Sequence, residues 1–388
     1  MNNAKKPGIL LLILSLSILL VILVGCASPA ATTAAPPKTT ASAAPTSAAP
    51  ATTAPAATSA PTTPAASQPA GQKIVLTMAG TMPESDIKTI ALRQFAAEVA
   101  KNTNDMVQIN IFPNNQLIAD KDMFTAIPAG MADLAQSNLA SFSGLVPETA
   151  LITMCMTYSN FDHWWAVIHG PLGDIITKKL ATSANTKFLA WLSQGPTDVF
   201  ATTNKTIKVP DDFKGLKFRT PSSALFVKAV NALGGNGVII SAGELYTALG
   251  SSVVTGTFCD SKAYNLNKWF EVAPYVSRMV ITPDASHAII ANMNSWNKLP
   301  ANIQQIIQTA ALNASEWSKA NSAKANADGW TSIQALKDSG KIKDLYVIPP
   351  ADVAKFKAIM EPSQKEDALK DPKMTPNVMD LIEAARPK

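Results

Sequence analysis

Between Ile74 and Ala135 two kinds of periodicity alternate, and this alternation restricts the fold more than any other feature of the chain. Ile74-Val75-Leu76-Thr77-Met78 is a β-rich run broken at Gly80-Thr81-Met82-Pro83. Ile87, Ile90, Ala91, Phe95 and Val99 then recur at helical spacing, behind Ser85 or Asp86 as a cap. Val107 through Phe112 alternates strictly until Pro113. Met123, Phe124 and Ile127 predict a helix beginning near Asp120, and Ala132-Asp133-Leu134-Ala135 predicts a short strand. Strand, helix, strand, helix, strand demands parallel pairing with right-handed crossovers.

The same rhythm returns further on. In Gly215-Leu216-Lys217-Phe218-Arg219-Thr220-Pro221, Leu216 and Phe218 share one face of a strand, Lys217 and Arg219 the other, and Pro221 ends it. Ser222 and Ser223 are ready caps for a helix whose Phe226, Ala229, Val230 and Leu233 form one stripe, stopped by Gly234. Val238-Ile239-Ile240 reads as a strand, Ser241-x-x-Glu244 as a capping box, and Val253-Val254-Thr255 as the next strand. Two α/β units predict two lobes with a cleft between them, and ligands of open α/β sheets gather beyond the carboxyl ends of the strands. Ile303, Ile306, Ile307 and Ala310, with Trp317 beyond, predict a long helix after Pro300 that braces both lobes.

Ahead of this folding unit lie two segments of another kind. Lys5 and Lys6 precede an apolar run that closes on Leu23-Val24-Gly25-Cys26, an export signal rather than part of the fold. The ending resembles the lipobox of bacterial lipoproteins, which makes residues 1–25 a signal peptide and Cys26 the lipid-bearing residue. An uncleaved anchor is the alternative, but the apolar run is short for a span of about 20 residues. Residues 26–72 continue as a tether of Ala, Thr, Pro and Ser with one charge, Lys38. Such a composition cannot bury enough surface to offset its ordering entropy. At about 3.1 Å per residue it reaches on the order of 140 Å.

The remainder, residues 73–388, divides into a first lobe over about 73–196 and a second over about 197–283, each completed by part of 284–388. The net charge is +5 without a dense basic stripe, so nucleic acid is not an expected partner. Cys155 and Cys259 are expected as buried free thiols, with a disulfide between them as the alternative. His163, His169 and His287 sit in no metal-ligand pattern, and no nucleophile elbow or phosphate loop occurs. Neither enzyme, metal nor cofactor is therefore expected. Arg219, at the carboxyl end of a strand, offers a planar fork that matches a carboxylate in two hydrogen bonds. Pairing with an Asp or Glu on its own lobe is the alternative. Strand-end logic adds Thr81, Ser137, Tyr158, Phe258 and Asp260 as candidate ligand-binding residues. Trp164 and Trp165 fit packing better than a stacking platform.

Residues 207–256, IKVPDDFKGLKFRTPSSALFVKAVNALGGNGVIISAGELYTALGSSVVTG, resemble the signature of DctP-type TRAP-transporter solute-binding proteins. The likeness extends to Phe112-Pro113-Asn114-Asn115-Gln116-Leu117, Pro147-Glu148, Phe270-Glu271-Val272-Ala273-Pro274-Tyr275 and Trp296-Asn297-Lys298-Leu299-Pro300. The resemblance implies an α/β, two-lobed, periplasmic-binding-protein-like (Venus flytrap) receptor. Such a receptor closes on a small organic anion and hands it to a TRAP-type membrane permease. It also implies that Arg219 is the carboxylate anchor. The binding component of an ATP-driven importer, a ligand-sensing lipoprotein and a tethered structural lipoprotein are the competing readings. Two departures stand out: Gly195-Pro196-Thr197-Asp198 replaces a segment that often carries a second arginine, and Thr257, Phe258, Cys259 and Asp260 follow Gly256 in place of the usual polar residues. A less polar pocket and a bulkier or more apolar ligand are the expectation from these.

Replacing Cys26 with Ser should abolish incorporation of labelled palmitate and move the protein from the membrane to the soluble fraction. Unchanged labelling would exclude Cys26 as the attachment point.

Overall fold

The computed structural model describes residues 73–284 and 287–387. The signal peptide, Cys26 and the tether lie outside these residues. Eleven strands among them form two sheets. The first runs in the order β2-β1-β3-β10-β4 and the second β11-β9-β5-β8-β6-β7. The strands are β1 Ile74–Ala79, β2 Val107–Phe112, β3 Leu134–Asn138, β4 Thr186–Leu192, β5 Thr197–Thr202, β6 Lys217–Thr220, β7 Asn236–Ile239, β8 Gly256–Cys259, β9 Tyr275–Thr282, β10 His287–Asn292 and β11 Asp344–Val347.

The expected parallel pairing is present in both sheets: β1 with β2 and β3, and β6 with β7 and β8. Antiparallel strands complete each sheet. β10 pairs with β3 and β4, and β5 pairs with β8 and β9. Two loops carry the chain between the sheets, at residues 193–196 and again after β9, and the helix between β10 and β11 carries it across a third time. The central strands of each sheet are buried on both faces. In β5, Phe200 enters a cluster with Phe213, Phe218, Phe258 and Phe356, while Val199 and Ala201 face Leu245, Tyr264 and Trp330. Strand alternation thus produces two cores from one sequence run.

Asp86 caps the helix Ile87–Asn102, its side chain accepting from Lys88 N at 2.9 Å. The long helix Ala301–Asp338 packs Ile307, Ala310, Ala311 and Ala314 into the first sheet's core and Trp330 and Ile333 into the second's. Serines sit where it passes the crossing: Ser318 Oγ accepts from Ser193 N at 3.1 Å and Ser322 Oγ meets Ser193 Oγ at 3.0 Å.

Several local expectations shift. The strand expected at 132–135 begins at Leu134 and runs to Asn138. The strand expected at 253–255 is displaced to Gly256–Cys259, because Ser252 takes φ +60° in a turn and leaves Val253 exposed. The helix expected from Asp120 is only a 3-10 turn, Asp120–Asp122, followed by Met123–Ala126. Ser241 and Glu244 bond each other side chain to side chain at 2.7 Å, so the helix Ala242–Gly250 lacks the reciprocal backbone bonds of a capping box. Ser223 takes the N-cap position of Ala224–Ala232, as expected, but neither Ser222 nor Ser223 makes a side-chain cap bond there. Ser222 Oγ donates to Asp120 Oδ2 at 2.7 Å and Ser223 Oγ meets Thr153 Oγ1 at 3.0 Å. Both hydroxyls are drawn to residues outside the second sheet's own strands.

Gly256 lies opposite Phe218 in the β6–β8 pairing, where an added Cβ would meet ring carbons at 2.4 and 2.6 Å. Phe218 is wedged among other phenylalanines and has little room to yield. Gly256→Ala should cost roughly 1–3 kcal/mol from overpacking, measured as a lowered denaturation midpoint. An unchanged midpoint would show that the phenylalanine cluster is plastic.

Candidate functional site

Arg219 lies on the face of β6 opposite Phe218 and is 6% exposed. Its Nε donates to Ile240 O at 2.7 Å and Nη1 to Phe258 O at 3.2 Å. These carbonyls lie just beyond β7 and within β8, the strands flanking β6, so the neighbouring chain ends orient the guanidinium. Among the described residues no carboxylate forms an ion pair with it. Burial pulls its pKa down to about 10, which leaves it cationic at neutral pH.

Arg219 opens onto a cavity of ≈ 60 Å³ where the carboxyl ends of strands from both sheets meet. Met82, Asn138, Gln194 and His287 form one side; Phe258, Asp260 and Trp269 stand with Arg219 on the other. Two buried ion pairs flank it. Lys88 Nζ lies 3.0 Å from Asp86, and Lys262 Nζ 2.9 Å from Asp260. Both lysines converge on Gln194. Lys88 donates to its Oε1 at 2.8 Å, and Lys262 donates to its main-chain oxygen. Burial pushes the Asp260 carboxyl up, but Lys262 and Lys88 outweigh it and the net shift is downward. For Lys262, burial is outweighed by Asp260 and Asp86, and its pKa rises. Both groups therefore stay charged.

Asp284 joins the two crossings. Its carboxylate accepts from Ser193 Oγ at 2.6 Å, Gln194 N at 3.1 Å and Gly195 N at 2.9 Å. Asp120, from the first sheet's side, accepts from Ser222 on the other. Burial raises its pKa, against the lowering pull of that hydroxyl and of Arg219.

The candidate residues fall into two groups. Arg219, Phe258 and Asp260 line the cavity, although the Phe258 ring belongs to the phenylalanine cluster and its carbonyl is the part that holds Arg219. Thr81, Ser137 and Tyr158 are placed elsewhere. Thr81 N and Oγ1 both donate to Gln136 Oε1 at 3.0 Å, behind the wall. Ser137 is fully buried and bonds Asn138 O at 3.3 Å, so its neighbour Asn138 reaches the cavity instead. Strand alternation explains this, since successive side chains point to opposite faces. Tyr158 donates to Leu151 O at 2.8 Å and lines a separate cavity of ≈ 720 Å³ with Phe161, Pro196 and Lys319. Trp164 is packing, its indole bonded to Ile152 O, and Trp165 lies under Lys319. Cys155 and Cys259 are buried free thiols. Sequence reasoning missed Gln194, His287, Trp269 and the two lysines, which no motif marks.

The family described as DctP, bacterial extracellular solute-binding protein, family 7, matches residues 78–371. The C4-dicarboxylate-binding periplasmic protein DctP of Rhodobacter capsulatus is 26% identical over 298 residues, 76% of this chain and 87% of that one. A TRAP periplasmic solute-binding protein from Roseobacter denitrificans, solved with bound β-D-glucuronate, superposes with a TM-score of 0.71 at 25% identity, covering 80% of this chain and 99% of the other. One from Sulfurospirillum deleyianum, solved with succinate, superposes at 0.74 with 23% identity, covering 81% and 100%.

Asp198 closes the segment Gly195-Pro196-Thr197-Asp198 at the crossing. It is buried, its Oδ2 accepts from Trp330 Nε1 at 2.7 Å and Asn326 Nδ2 at 3.2 Å, and its Oδ1 has no partner among the described residues. Burial raises its pKa to about 6. An acid whose folded pKa exceeds its unfolded value of about 3.9 loses stability as pH climbs between the two. Asp198→Asn should therefore gain about 1–3 kcal/mol over the parent at pH 7 and nothing at pH 4, measured by urea unfolding at both values. A gap independent of pH would exclude the buried carboxylate as its source.

Proposed function

Because the chain belongs to the DctP family of bacterial extracellular solute-binding proteins, we propose that it is the extracytoplasmic receptor of a TRAP-type transporter, held to the membrane through Cys26. In this reading it binds a small organic carboxylate between its lobes and delivers it to a membrane permease. The observation that carries the reading is Arg219: a buried guanidinium oriented by two carbonyls, with no carboxylate paired to it among the described residues, facing a cavity between two sheets.

The mechanism follows from differential binding. A ligand favours closure only to the extent that it binds the closed state better. A carboxylate on Arg219 touches one lobe in the open state. It gains the Asn138, Gln194 and His287 side only when the lobes meet. Closure also removes water, which strengthens each charge-assisted hydrogen bond. The crossing at 193–196, with Asp284 across it, is the natural hinge, and the long helix supports both lobes through the motion. Relatives solved with glucuronate and succinate support an acidic ligand for this chain.

Arg219→Ala should lower affinity for a bound carboxylate at least 100-fold, and Arg219→Lys at least tenfold, in calorimetric titration. The ligand-free melting midpoint serves as the control for folding. Wild-type affinity in either variant would remove Arg219 from the anchor role.

A further inference from the structure

We propose that Lys88 and Lys262 are positioning residues that act together as an interlock: they hold Gln194 from opposite sides of the cleft and set affinity through closure, not through contact with the ligand. The proposal rests on the reading that the two lobes close on a ligand, and it assigns part of the closing force to the protein itself.

The same three-residue turn occurs twice, once on each side. Asp86-Ile87-Lys88 opens the helix Ile87–Asn102, whose Leu92 and Phe95 pack into the first sheet's core. Asp260-Ser261-Lys262 opens the helix Ser261–Leu266, whose Tyr264 packs into the second's. Both aspartates are caps: Asp86 accepts from Lys88 N and Asp260 from Ala263 N, each at 2.9 Å. The lysine two residues on folds back to the same carboxylate, at 3.0 Å and 2.9 Å. None of the four is more than 7% exposed. Burying ion pairs is costly unless their remaining donors and acceptors find partners.

Gln194, on the crossing, supplies those partners. Lys88 donates to its Oε1 at 2.8 Å, Lys262 donates to its main-chain oxygen, and its own N–H goes to Asp284 at 3.1 Å. An ammonium can only donate, so the amide atom facing Lys88 is the oxygen and the NH₂ is left for the cavity that Gln194 lines. Lys88 thereby fixes which end of that amide the cavity receives. The charges also act across the cleft. Lys88 lowers the pKa of Asp260, and Asp86 raises that of Lys262, with Asp284 adding to the second effect.

The two helix starts face each other over a separate cavity of ≈ 400 Å³, with Ile87 and Ile90 on one side, Lys262 and Leu266 on the other, and Trp317 of the long helix between. Ile90 and Leu266 remain 40% and 45% exposed there, so apolar burial does not draw the two sides together at this edge. The charged set lies between this gap, which Lys262 lines, and the arginine cavity, which Asp260 lines.

Once the lobes part, Gln194 cannot stay bonded to both, so its bonds to Lys88 and Lys262 coexist only in the closed state. Removing one lysine strands a carboxylate that closure buries and that water solvates when the cleft opens. The penalty falls on the closed state, and apparent affinity drops with the fraction of closed molecules.

The test uses the full-length chain in detergent. Lys88→Met and Lys262→Met should each weaken, at least tenfold in calorimetric titration, whichever of succinate and glucuronate the parent binds, and keep any preference between the two within twofold. Asp86→Asn combined with Lys88→Met removes the stranded charge and keeps a cap, so it should recover part of the loss. Spin labels at Asn102→Cys and Ser251→Cys, one on each side, should report a closed distance in the ligand-free parent whose population at least halves in each lysine variant. A purely structural role predicts a lowered ligand-free melting midpoint with unchanged affinity. That result, no recovery in the double variant, or identical distances in parent and variants would each overturn the proposal. If Arg219→Ala loses binding while the lysine variants keep it, the interlock fails and the receptor reading stands. If the parent binds neither acid, the receptor reading loses its support, and the ligand-free distances alone decide the interlock.

Discussion

A buried cation that finds only carbonyl oxygens among the described residues is electrostatically incomplete, and the architecture around the cleft is organised about that fact. Taking a guanidinium out of water is costly unless its donors find partners. Arg219 meets part of the requirement through Ile240 O and Phe258 O, which fix the plane of the fork without cancelling its charge. β6 lies between β7 and β8 for this to work, since the flanking chains supply those two oxygens. The parallel β6–β7 and β6–β8 pairings, the glycine at 256 that lets β8 approach Phe218, and the phenylalanine cluster beneath all serve to hold one side chain still.

The second requirement is that two sheets approach each other without separating at the crossing. Asp284 answers it by accepting from three consecutive residues, Ser193, Gln194 and Gly195. Gln194 then stands between the lobes and receives a lysine from each: Lys88 through its side chain and Lys262 through its backbone. The serines of the long helix add Ser318 and Ser322 to the same point. Small hydroxyl side chains suit that position because they bond the crossing chain while letting the helix backbone come close.

How much of this was legible depended on whether the signal was local. The alternation of strand and helix near Ile74 and near Leu216 follows from side-chain period, and the parallel pairings, the buried Phe226–Leu233 stripe and the long helix after Pro300 follow from it. Strand ends were less legible: 253–255 has the right residue types, but the turn at Ser252 delays pairing until Gly256. Caps failed where a distant partner competed, as when Asp120 and Thr153 drew away Ser222 and Ser223. In the site, Arg219 and Asp260 were readable because each sits at a strand end beside a breaker or a helix start. Ser137 missed the cavity by one residue, within the error of a predicted strand boundary, and strand alternation turned that error into the wrong face. His287 and Gln194 carry no local signal, since their placement comes from the crossings between sheets.

The charges around the cavity set Arg219 apart from the other cations there. Lys88 and Lys262 each have an aspartate two residues earlier, Asp86 and Asp260, so their charges are balanced within their own loops. Arg219 is left as the cleft cation without an ion-pair partner among the described residues. The nearest tension is Asp120, whose carboxyl is pushed toward the neutral form by burial and bonded to Ser222 rather than to the arginine. Just after the crossing, Asp198 turns its carboxylate to Trp330 and Asn326 of the long helix. Those bonds tie the start of β5 to the long helix that supports both sheets.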